Sequence, residues 1–577
     1  MTITHSRLRT QVFLGALCIL AAGFWAYHNS FGGAFVFDDV DRILKNSHIR
    51  HLWPIWDILS TTSRPLVELS LAINCALGGT QVFGYHVVNL LIHLSAALVL
   101  FGIVRRTFRT ESLRARYEES ATGLALAIAL LWVVHPLQTE SVTYLIQRAE
   151  SLMGLFYLLT LYCFIRGVTS ERRRGWYVMA VIACAAGMST KPIMVTAPLL
   201  VLLYDRTFIS GTFLKALSQR KRLYLGMTMT WGLLAALLAL TPPDTGAGFT
   251  VNLSPLIYIC TQPSVLLHYL KLSFWPGSLC LDYAWPEARE LKQILIPMLV
   301  IGPLGLLTLW ALQTKRSIGF LGAWFFLILA PTSSFIPIKD FIFEHRMYLS
   351  LAAVIGLVVT GSYEFLRLMI PSQQKMRQAT AIGLVAISVV LLSLMTIHRN
   401  EDYRSEETIW RDTISKSPKN TGAQINLSLA LDQQGYVEEA KTHLIQALQL
   451  DSNSALAHEN LGALLLKQGY LEEAKDHLIR VLQLGSGSAE VYNNLGVALF
   501  KQGHLEEARA YFTQALKLDS NHASADTNLG FLFLKQGHLE EARAYFIQAL
   551  QLEPNSAESH NGLAIVDHLM KTSQLNP

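Results

Sequence analysis

Apolar segments long enough to cross a membrane recur from residue 12 to residue 398 of this chain and then stop. A helix needs about 20 consecutive apolar residues to cross a bilayer core. Only 15% of the 577 residues are charged and 51% are hydrophobic, whereas an ordinary soluble chain is charged at about 25% of its positions. The sequence therefore predicts an all-α protein with a polytopic membrane domain, followed by a polar domain outside the bilayer.

Eleven spans are predicted, and several are short enough that tilt or packing must help them. They lie at 11–28, 85–104, 121–137, 151–167, 176–190, 192–205, 223–241, 294–312, 318–337, 347–368 and 379–398. Arginines and lysines cluster in the short loops on one side of this arrangement, which places the N-terminus in the cytoplasm and the C-terminal domain outside. Residues 254–275 contain Pro255 and Pro263, and we interpret them as a re-entrant or interfacial hairpin. A twelfth span is the alternative.

Composition also excludes several classes of function. The net charge of +5 is modest and concentrated in a few loops, so nucleic acid is not an expected partner. The six cysteines form no disulfide framework, and no Cys/His cluster has the spacing of a zinc site. The expected surroundings are a lipid bilayer and the compartment beyond it.

Ionisable side chains gather on the predicted outer face. Asp38, Asp39 and Asp41 directly follow the segment Phe35-Val-Phe37 at a membrane edge, where carboxylates are costly to desolvate and are usually kept for a purpose. The same face receives Arg64, Glu68, His135, Glu140, Arg148, Glu150, Lys191, Glu344 and Arg346. Taken singly, each also has a structural interpretation as a helix end, a snorkelling cation or an ion pair. Their collection on one side favours a site in which a carboxylate base faces an anionic leaving group.

A period of 34 residues organises the polar domain. Glycine recurs at 435, 469, 503 and 537, and alanine recurs five residues later each time. A helix-turn-helix unit of 34 residues identifies tetratricopeptide repeats, which stack into a solenoid with a concave face. The predicted domains are 1–400 in the membrane, a linker or half repeat at 401–420, and four repeats with a closing helix at 421–577.

Asparagine occupies the same place in each repeat, at Asn426, Asn460, Asn494 and Asn528. This row resembles the asparagine ladder of O-GlcNAc transferase, which holds a peptide backbone without demanding a particular sequence. An amide donates and accepts hydrogen bonds at once, which suits an extended peptide. In the other interpretation these asparagines bond neighbouring helices within the stack.

Motifs along nearly the whole chain resemble those of the transmembrane and tetratricopeptide-repeat O-mannosyltransferases, members of the glycosyltransferase C superfamily. The matching segments are Phe35-Val-Phe-Asp-Asp39, Ser63-Arg-Pro-Leu66, Phe83-Gly-Tyr-His-Val-Val-Asn-Leu90, His135-Pro-Leu-Gln-Thr-Glu140, Ser189-Thr-Lys-Pro192, Trp275-Pro276, Leu281-Asp-Tyr283, Glu344-His-Arg-Met-Tyr348 and Arg399-Asn400. The chain departs from the family at Pro192, where relatives often have glutamate after the lysine. The short repeat array suggests a bacterial relative, with repeats in the periplasm, and the endoplasmic reticulum lumen is the alternative.

The resemblance implies a polyprenyl-phosphate sugar donor, with mannose as the expected sugar, and a serine or threonine acceptor on a protein. Asp39 is the first choice for the base that takes the hydroxyl proton during in-line, inverting displacement, and Asp38 is the second. Phosphate binding is assigned to Arg148, Lys191 and Arg346, and orientation of sugar or acceptor to Arg64, Glu68, His86, His135, Glu140 and Glu344. Asp39 and Asp41 also have the spacing of a metal-binding pair, so Mg²⁺ or Mn²⁺ stays open.

Two rival functions stay open beside the transferase. One is a membrane-anchored repeat scaffold whose membrane domain is inactive. The other is a transporter or flippase of lipid-linked sugars, which predicts ionisable residues deep within several spans. The observed clustering near one surface favours the enzyme.

Overall fold

The computed structural model describes residues 2–60, 62–241, 248, 253–314 and 316–575, and every regular element within these ranges is a helix. Two compact units divide the chain between Lys416 and Ser417. The first unit contains all the predicted spans, and the second contains the repeats. The prediction of an all-α fold is confirmed.

Eighteen α-helices form the described part of the first unit. They are α1 Thr2–Tyr27, α2 Ile55–Ser60, α3 Pro65–Gly78, α4 Val82–Thr107, α5 Glu111–Tyr117, α6 Ala121–Val133, α7 Thr139–Val142, α8 Arg148–Thr169, α9 Arg173–Met188, α10 Ala197–Tyr204, α11 Phe213–Gln219, α12 Lys221–Leu240, α13 Pro255–Phe274, α14 Leu291–Gln313, α15 Ile318–Leu329, α16 Met347–Met369, α17 Gln374–Asp402 and α18 Glu406–Lys416.

The helices confirm a multi-pass membrane protein. Among the described residues, eight helical segments are long and apolar enough to cross a membrane, and a ninth is added if the bent pair Ala121–Val133 and Pro136–Val142 is one span. Each of the eleven predicted spans coincides with a helix, but α9 has 16 residues and α15 has only 12. These two are short for the hydrocarbon core, so the total of eleven stays a prediction.

Loops at the two ends of the spans have different compositions. The end that carries segments 28–81, 134–147, 275–290 and 330–346 is called the site face. The opposite end, which carries segments 105–120, 166–174, 211–222, 316–317 and 370–377 and most of the arginines of the loops and helix ends, is called the arginine face. Basic loops mark the cytoplasmic end of membrane proteins, so the arginine face is the predicted cytoplasmic end.

Helix α13 lies along the site face rather than across the membrane. Near its start, the Tyr258 hydroxyl donates to the Thr332 carbonyl at 2.6 Å, and near its end the Ser273 carbonyl lies 3.2 Å from His135 Nε2. Between them, the Tyr269 hydroxyl donates to the Phe343 carbonyl at 2.8 Å. All three partners belong to the site face, so both ends of this 20-residue helix stay on one side. The predicted hairpin is wrong, because residues 255–274 form one continuous helix, whereas an interfacial position of this helix agrees with these contacts.

A small cap formed by the first long loop covers part of the site face. Its own hydrophobic cluster includes Ile43, Ile49 and Ile58 from the loop, together with Leu71 of α3 and Leu145 before α8. Burying apolar side chains in a satellite cluster fixes a loop that has little regular structure. The cap therefore holds the segment around Asp38 and Asp39 in a defined place.

Most of the predicted linker packs against the first unit. In α18, Asp412 forms an ion pair with Arg399 at 2.6 Å, and the Lys416 ammonium donates to the Leu279 carbonyl at 2.7 Å. Trp410 is almost fully buried. The segment 401–416 is thus part of the membrane unit, although its sequence resembles a half repeat.

The second unit consists of four helix pairs and a closing helix. They are α19 Thr421–Gln433, α20 Val437–Leu450, α21 Ala455–Gln468, α22 Leu471–Gln483, α23 Ala489–Gln502, α24 Leu505–Leu518, α25 Ala523–Gln536, α26 Leu539–Leu552 and α27 Ala557–Leu575. The first helices of successive repeats contact one another, as do α25 and α27, which builds the inner layer of a solenoid. The predicted repeats are confirmed.

Glycine has two separate roles in the second, third and fourth repeats, whereas the first repeat has Ser428 at the inner position. Gly503 ends α23 with φ 89°, a left-handed conformation that a residue with a side chain rarely adopts. Gly496 lies inside α23, where a Cβ atom would come within 2.5 Å of the Phe512 ring on α24. The inner glycine therefore lets the two helices of the repeat approach closely.

We expect Gly496→Val to separate α23 from α24, because the added side chain has no space beside the Phe512 ring. Overpacking of this kind costs about 1–3 kcal/mol. Hydrogen exchange in the full-length protein checks this and should be faster in α23 and α24 and unchanged in the first unit. Ala510→Val is the matched control, because Ala510 is exposed on the same helix pair. Equal exchange in both variants would contradict the close packing.

Candidate active site

A tight turn at the start of the cap presents the two adjacent aspartates. Phe37 has φ 51°, an uncommon conformation for a residue with a side chain, and a short π-helical turn, Val40–Leu44, follows directly. Strained backbone of this kind persists only where the surrounding structure holds it in place. The turn sends the side chains of Asp38 and Asp39 in different directions, so that Asp38 is exposed and Asp39 is fully buried.

Asp39 has a structural role in this turn. Its Oδ2 accepts from the Val36 N–H at 3.1 Å, and its Oδ1 accepts from the Ile146 N–H at 2.7 Å. The carboxyl group thus joins the cap to the segment before α8. Burial raises the pKa of Asp39 to about 8, against the opposing effect of these backbone donors. With no exposed surface, Asp39 is out of reach of a substrate hydroxyl.

Asp38 is the aspartate that faces outward. Its backbone N–H donates to the Tyr144 hydroxyl at 3.1 Å, which ties the turn to a nearly buried side chain. Partial burial raises the pKa of the Asp38 carboxyl group, while Tyr144 and the charges of Arg42 and Lys339 lower it. A carboxylate with a raised pKa that still reaches solvent is suited to accept a proton near neutral pH. Of the two aspartates predicted as the base, Asp38 is the one whose side chain reaches solvent.

Two residues of α18 contact Phe37 and help to fix its conformation. The Phe37 N–H donates to Glu406 Oε1 at 3.1 Å, and the Phe37 ring packs edge-on against Trp410 with 5.1 Å between centroids. The sequence analysis assigned this segment to the linker and missed both residues. Trp410 within an otherwise polar helix was the signal that this segment packs on a larger body.

Arg148 is not available to a phosphate, contrary to the sequence prediction. It is fully buried, and its Nε donates to Asn89 Oδ1 at 2.6 Å. Its two terminal nitrogens donate to the carbonyls of Ser70 and Tyr85, each at 3.1 Å. The guanidinium group therefore joins α3, α4 and α8, and a phosphate would have to break these bonds to reach it.

Arg346 is also engaged by the protein itself. Its terminal nitrogens donate to the carbonyls of Asp340 and Phe341, each at 2.9 Å, and its side chain is nearly buried. These bonds fix the loop 340–346 around the guanidinium group. Its positive charge still acts nearby, because it contributes to lowering the pKa values of Asp340 and Lys191. Arg346 thus adds charge to the site without presenting a donor to solvent.

Lys191 forms a short, largely buried ion pair. Its Nζ lies 2.6 Å from Glu150 Oε2, and the side chains are 13% and 1% exposed. Burial lowers the pKa of Lys191, Glu150 raises it, and Arg64 and Arg346 lower it. These influences place four charged side chains close together, so the predicted convergence on one face is present. Lys191 keeps a small exposed surface through which it can act on a ligand.

Glu140, Glu344 and His135 hold loops together. Both carboxylate oxygens of Glu140 bond to His345, one to its N–H and the other to its ring Nδ1, each at 2.8 Å. Glu344 Oε1 accepts from the Tyr283 hydroxyl at 2.7 Å and from the Cys280 N–H. His135 accepts from the Leu137 N–H at 3.2 Å and so caps the turn Pro136–Gln138. These three residues are almost fully buried, and they hold the loops of the site face in place.

The remaining predicted residues divide between the interior and the surface of the cap. His86 is almost fully buried against Gly33. Glu68 is half-buried and accepts from the Asn46 amide at 3.1 Å. Burial raises the pKa of Glu68, and the charges of Arg42 and Arg64 lower it. Arg64 and Glu68 therefore belong to the same charged cluster as Asp38 and Arg42.

Sequence reasoning missed two exposed cations beside Asp38. Arg42 and Lys339 both act on its carboxyl group, and each is exposed on the site face. Arg42 directly follows Asp41, and Lys339 stands a few residues before the Glu344-His-Arg346 group, so both adjoin motifs that the sequence analysis singled out. They supply exposed positive charge that the buried Arg148 does not.

Asp39 and Asp41 do not fit the considered metal-binding pair. Both oxygens of Asp39 accept backbone N–H groups, whereas the exposed Asp41 pairs with Lys45 at 2.9 Å. The described ranges also contain no group of three or more His, Cys, Asp or Glu side chains arranged to hold a metal ion. We therefore assign these two residues no cation.

An apolar cavity of about 920 Å³ opens beside α13, and we call it the carrier cavity. Its walls come from α13 to α16. Leu267 and Phe274 line it near the site face, together with His268 and Lys271, and Leu304, Leu307 and Phe325 line it within the membrane. Cavities of several hundred Å³ lined by hydrophobic side chains are typical of ligand sites. Polar residues lie at both ends of this cavity, with Ser264, His268 and Lys271 near the site face and Arg316 near the arginine face.

In the second unit, the four ladder asparagines are all half-buried. The Asn460 amide donates to the Leu456 carbonyl of its own helix at 2.9 Å, and the Asn528 amide donates to Asn493 Oδ1 of the preceding repeat at 2.8 Å. Asn494 bonds to Glu490. Of these three contacts, only that of Asn528 joins neighbouring helices, and part of each amide stays exposed.

Comparison with protein-family models identifies the repeats. The tetratricopeptide repeat model matches residues 489–522 and 527–556, and a second TPR repeat model matches residues 429–469. Among solved structures, YrrB, a TPR protein with an unusual peptide-binding site, is 23% identical, and the match covers 28% of this chain and 84% of YrrB with a TM-score of 0.24. MamA is also 23% identical, with 26% and 89% covered and a TM-score of 0.24.

Curated relatives match a much larger part of the chain. The protein O-mannosyl-transferase Tmtc3 of Drosophila melanogaster is 25% identical over 529 residues, which is 77% of this chain and 56% of the relative. Human TMTC4 is 26% identical over 73% of this chain and 64% of its own length, and human TMTC1 is 26% identical over 77% and 56%. The chain thus spans between half and two thirds of these relatives. It combines a multi-pass membrane unit with tetratricopeptide repeats and is a relative of the protein O-mannosyl-transferases.

Proposed function

We propose that the protein is a membrane glycosyltransferase that moves a sugar, with mannose as the expected one, from a polyprenyl-phosphate donor to serine or threonine hydroxyls of a protein. The observation that carries the proposal is the exposed Asp38 carboxylate beside Arg42 and Lys339 at the membrane edge. The names of the curated relatives, which are protein O-mannosyl-transferases, support the same reaction class.

Asp38 is the proposed base of this reaction. The acceptor hydroxyl oxygen attacks the anomeric carbon of the sugar while its proton passes to the Asp38 carboxylate. The bond from that carbon to the phosphate oxygen breaks in line, so the configuration inverts and polyprenyl phosphate leaves as an anion. General-base catalysis of this kind contributes about 10²–10⁴-fold in rate. Asp39 acts by holding the turn, and it is a positioning residue.

The leaving phosphate needs positive charge around it. Arg42 and Lys339 are exposed on the site face, and Lys191 adds a partly accessible ammonium group. Fixed cations aimed at developing negative charge are among the largest contributors to catalysis in low-dielectric sites. The proposed carrier chain occupies the carrier cavity, because a long apolar groove with polar residues at its site-face end suits an isoprenoid phosphate.

The repeat unit is the proposed binding site for the acceptor protein. Its inner layer offers partly exposed amides at 34-residue intervals, which suit the backbone of an extended segment. Recognition of backbone rather than side chains would allow one enzyme to modify several sequences. The proposed location is a bacterial inner membrane with the repeats in the periplasm, with the endoplasmic reticulum lumen as the alternative.

The test of this function compares two aspartate variants in a transfer assay. Purified protein is incubated with polyprenyl-phosphate mannose and a Ser/Thr-rich peptide. We expect Asp38→Asn to lower kcat by about 10²-fold or more, because the amide cannot take the proton. Its melting temperature should not change, since Asp38 is exposed.

Asp39→Asn is the matched variant, and we expect it to lower stability first. Asparagine offers one acceptor oxygen where two backbone N–H groups need partners, and an unpaired buried donor costs about 1–3 kcal/mol. Full activity in Asp38→Asn together with none in a folded Asp39→Asn would reverse the assignment of the base. Equal transfer rates in both variants and the wild type would exclude both aspartates as the catalytic base. No transfer from any donor would favour the scaffold or the transporter.

The rate should also depend on pH through Asp38. Because burial raises the pKa of Asp38, we expect kcat/KM to rise with pH through an inflection above the ordinary aspartate value. Lys339→Ala removes a cation that favours the ionised carboxylate, so this inflection should move to higher pH. Lys292→Ala is the control, because Lys292 is an exposed lysine that pairs with Glu290. An inflection that stays in place in Lys339→Ala would contradict the role of Asp38 as base.

Replacing a ladder asparagine should affect binding rather than chemistry. We expect Asn494→Ala to raise KM for a long unstructured acceptor several-fold, at about 0.5–1.5 kcal/mol per lost hydrogen bond, with kcat unchanged. A short acceptor peptide that occupies only the catalytic unit should react at the wild-type rate. Asn555→Ala, at an exposed asparagine of the last inter-helix turn, is the control. Unchanged KM in Asn494→Ala would favour the purely structural interpretation of the ladder.

A further inference from the structure

A second cavity, of about 590 Å³, opens on the arginine face, far from the aspartate turn along the spans, and we call it the inner cavity. It lies between the end of α4, the short helix α5, the start of α15 and the second half of α16. Apolar and aromatic side chains form its walls, among them Leu100, Ile103, Phe208, Phe320 and Trp324. Its lining reaches from the helix ends toward the membrane interior, where only lipid chains or protein can fill an apolar space.

The charged side chains that line the inner cavity lie at its mouth. They are Arg116, Arg316 and Glu364, with Ser112 and Ser317 beside them. Arg116 Nη2 lies 2.6 Å from Glu364 Oε2, and Arg367 Nη1 lies 3.6 Å from Glu364 Oε1. The single carboxylate is thus neutralised by two guanidinium groups, and the mouth keeps an excess of positive charge.

Arg316 supplies the exposed part of this charge. Its guanidinium group lies 4.4 Å from the centroid of the Trp310 ring and is exposed. Within the part of the chain that the structure describes, no carboxylate forms an ion pair with it. An arginine resting on a tryptophan at the end of a membrane helix lies at headgroup depth, where aromatic rings concentrate.

We propose that the inner cavity binds one anionic glycerophospholipid of the adjacent leaflet. An acyl chain fills the apolar body of the cavity, and the phosphate lies at the mouth between Arg116 and Arg316. Basic pockets between membrane helices on the cytoplasmic side suit anionic headgroups, because that leaflet is negatively charged. The inference is independent of the proposed transferase reaction and goes beyond it.

The charge and position of the mouth select this occupant over two others. A neutral phospholipid would leave the excess guanidinium charge without a partner. The polyprenyl-phosphate donor would have to place its phosphate on the site face beside Asp38, whereas this mouth opens on the opposite face. Arg316, Ile318 and Leu321 line both cavities, so the bound phospholipid would also support the wall of the carrier cavity.

The experiment measures which lipid the full-length protein retains. The protein is purified from mixed phosphatidylcholine and phosphatidylglycerol vesicles, and retained lipids are counted by native mass spectrometry. We expect the wild type to retain phosphatidylglycerol in preference to phosphatidylcholine. Arg316→Gln should weaken that preference about 5-fold, since a guanidinium group near an anionic surface contributes about 1 kcal/mol. Arg173→Gln is the control, because Arg173 is exposed on the same face and does not line the cavity.

A second variant tests the binding of the acyl chain separately from the binding of the headgroup. Gly356 lines the inner cavity but not the carrier cavity. A Cβ atom there would meet only the Leu321 side chain, at 3.5 Å. Gly356→Leu should therefore fill the cavity and abolish retention of both lipids, whereas Gly305→Leu, with nothing within 4 Å of its Cβ position, should not. Equal lipid preference in wild type and Arg316→Gln would overturn the proposal. So would displacement of phosphatidylglycerol from this cavity by added polyprenyl phosphate.

Discussion

The carboxyl group of Asp39, buried between the N–H groups of Val36 and Ile146, is the interaction on which the site depends. Because Asp39 is fully buried, an unpaired N–H group beside it would carry its full desolvation cost. By joining two segments that are distant in sequence, Asp39 fixes the turn in which Phe37 takes a left-handed conformation. The neighbouring Asp38 is then directed to the surface of the site face. The two adjacent aspartates thus differ in role, since one holds the turn and the other is exposed at the site face.

Many of the charged side chains around this turn stabilise the fold through hydrogen bonds within the protein. Arg148 joins three helices, Glu140 holds His345, and Arg346 closes its own loop through two carbonyls. Buried ions are tolerated only when hydrogen bonds satisfy them, and these groups are nearly all satisfied by the protein. Their long-range fields nevertheless act on the site. The groups left to contact a ligand are the exposed ones, Asp38, Arg42 and Lys339, with Lys191 at the margin.

The membrane unit offers a different chemistry at each end of its spans. The site face combines acidic and basic loops with the interfacial helix α13, while the arginine face carries mainly cations. The carrier cavity has His268 and Lys271 near the first face and Arg316 near the second, where the inner cavity also has its charged mouth. Because the two cavities share Arg316 and Leu321, the lipids proposed for them would meet along one wall. In the repeats, half-buried asparagine amides form the proposed recognition surface. The hydrogen bonds that these amides make stay within the stack.

The sequence alone determined the features that depend on local patterns. The 34-residue period predicted every repeat, because the turn glycine and the inner small residue are needed within each helix pair. Apolar runs predicted helices at all eleven span positions, and the prolines of residues 254–275 favoured an interfacial position for that segment over a further span. The collection of charges on one face followed from counting spans. What the sequence did not determine was the placement of each charge within that collection.

Only the tertiary structure decided which of these charged groups a substrate can reach. Asp38 and Asp39 are identical neighbours in sequence, yet Ile146, more than a hundred residues away, buries one of them. By its sequence position, Arg148 was an expected phosphate ligand, but its guanidinium group donates to Asn89 and Tyr85 instead. Trp410 belonged by pattern to a half repeat but packs on Phe37. Helix formation and repeat period depend on nearby residues, whereas solvation of a charged group depends on segments that arrive from elsewhere in the chain.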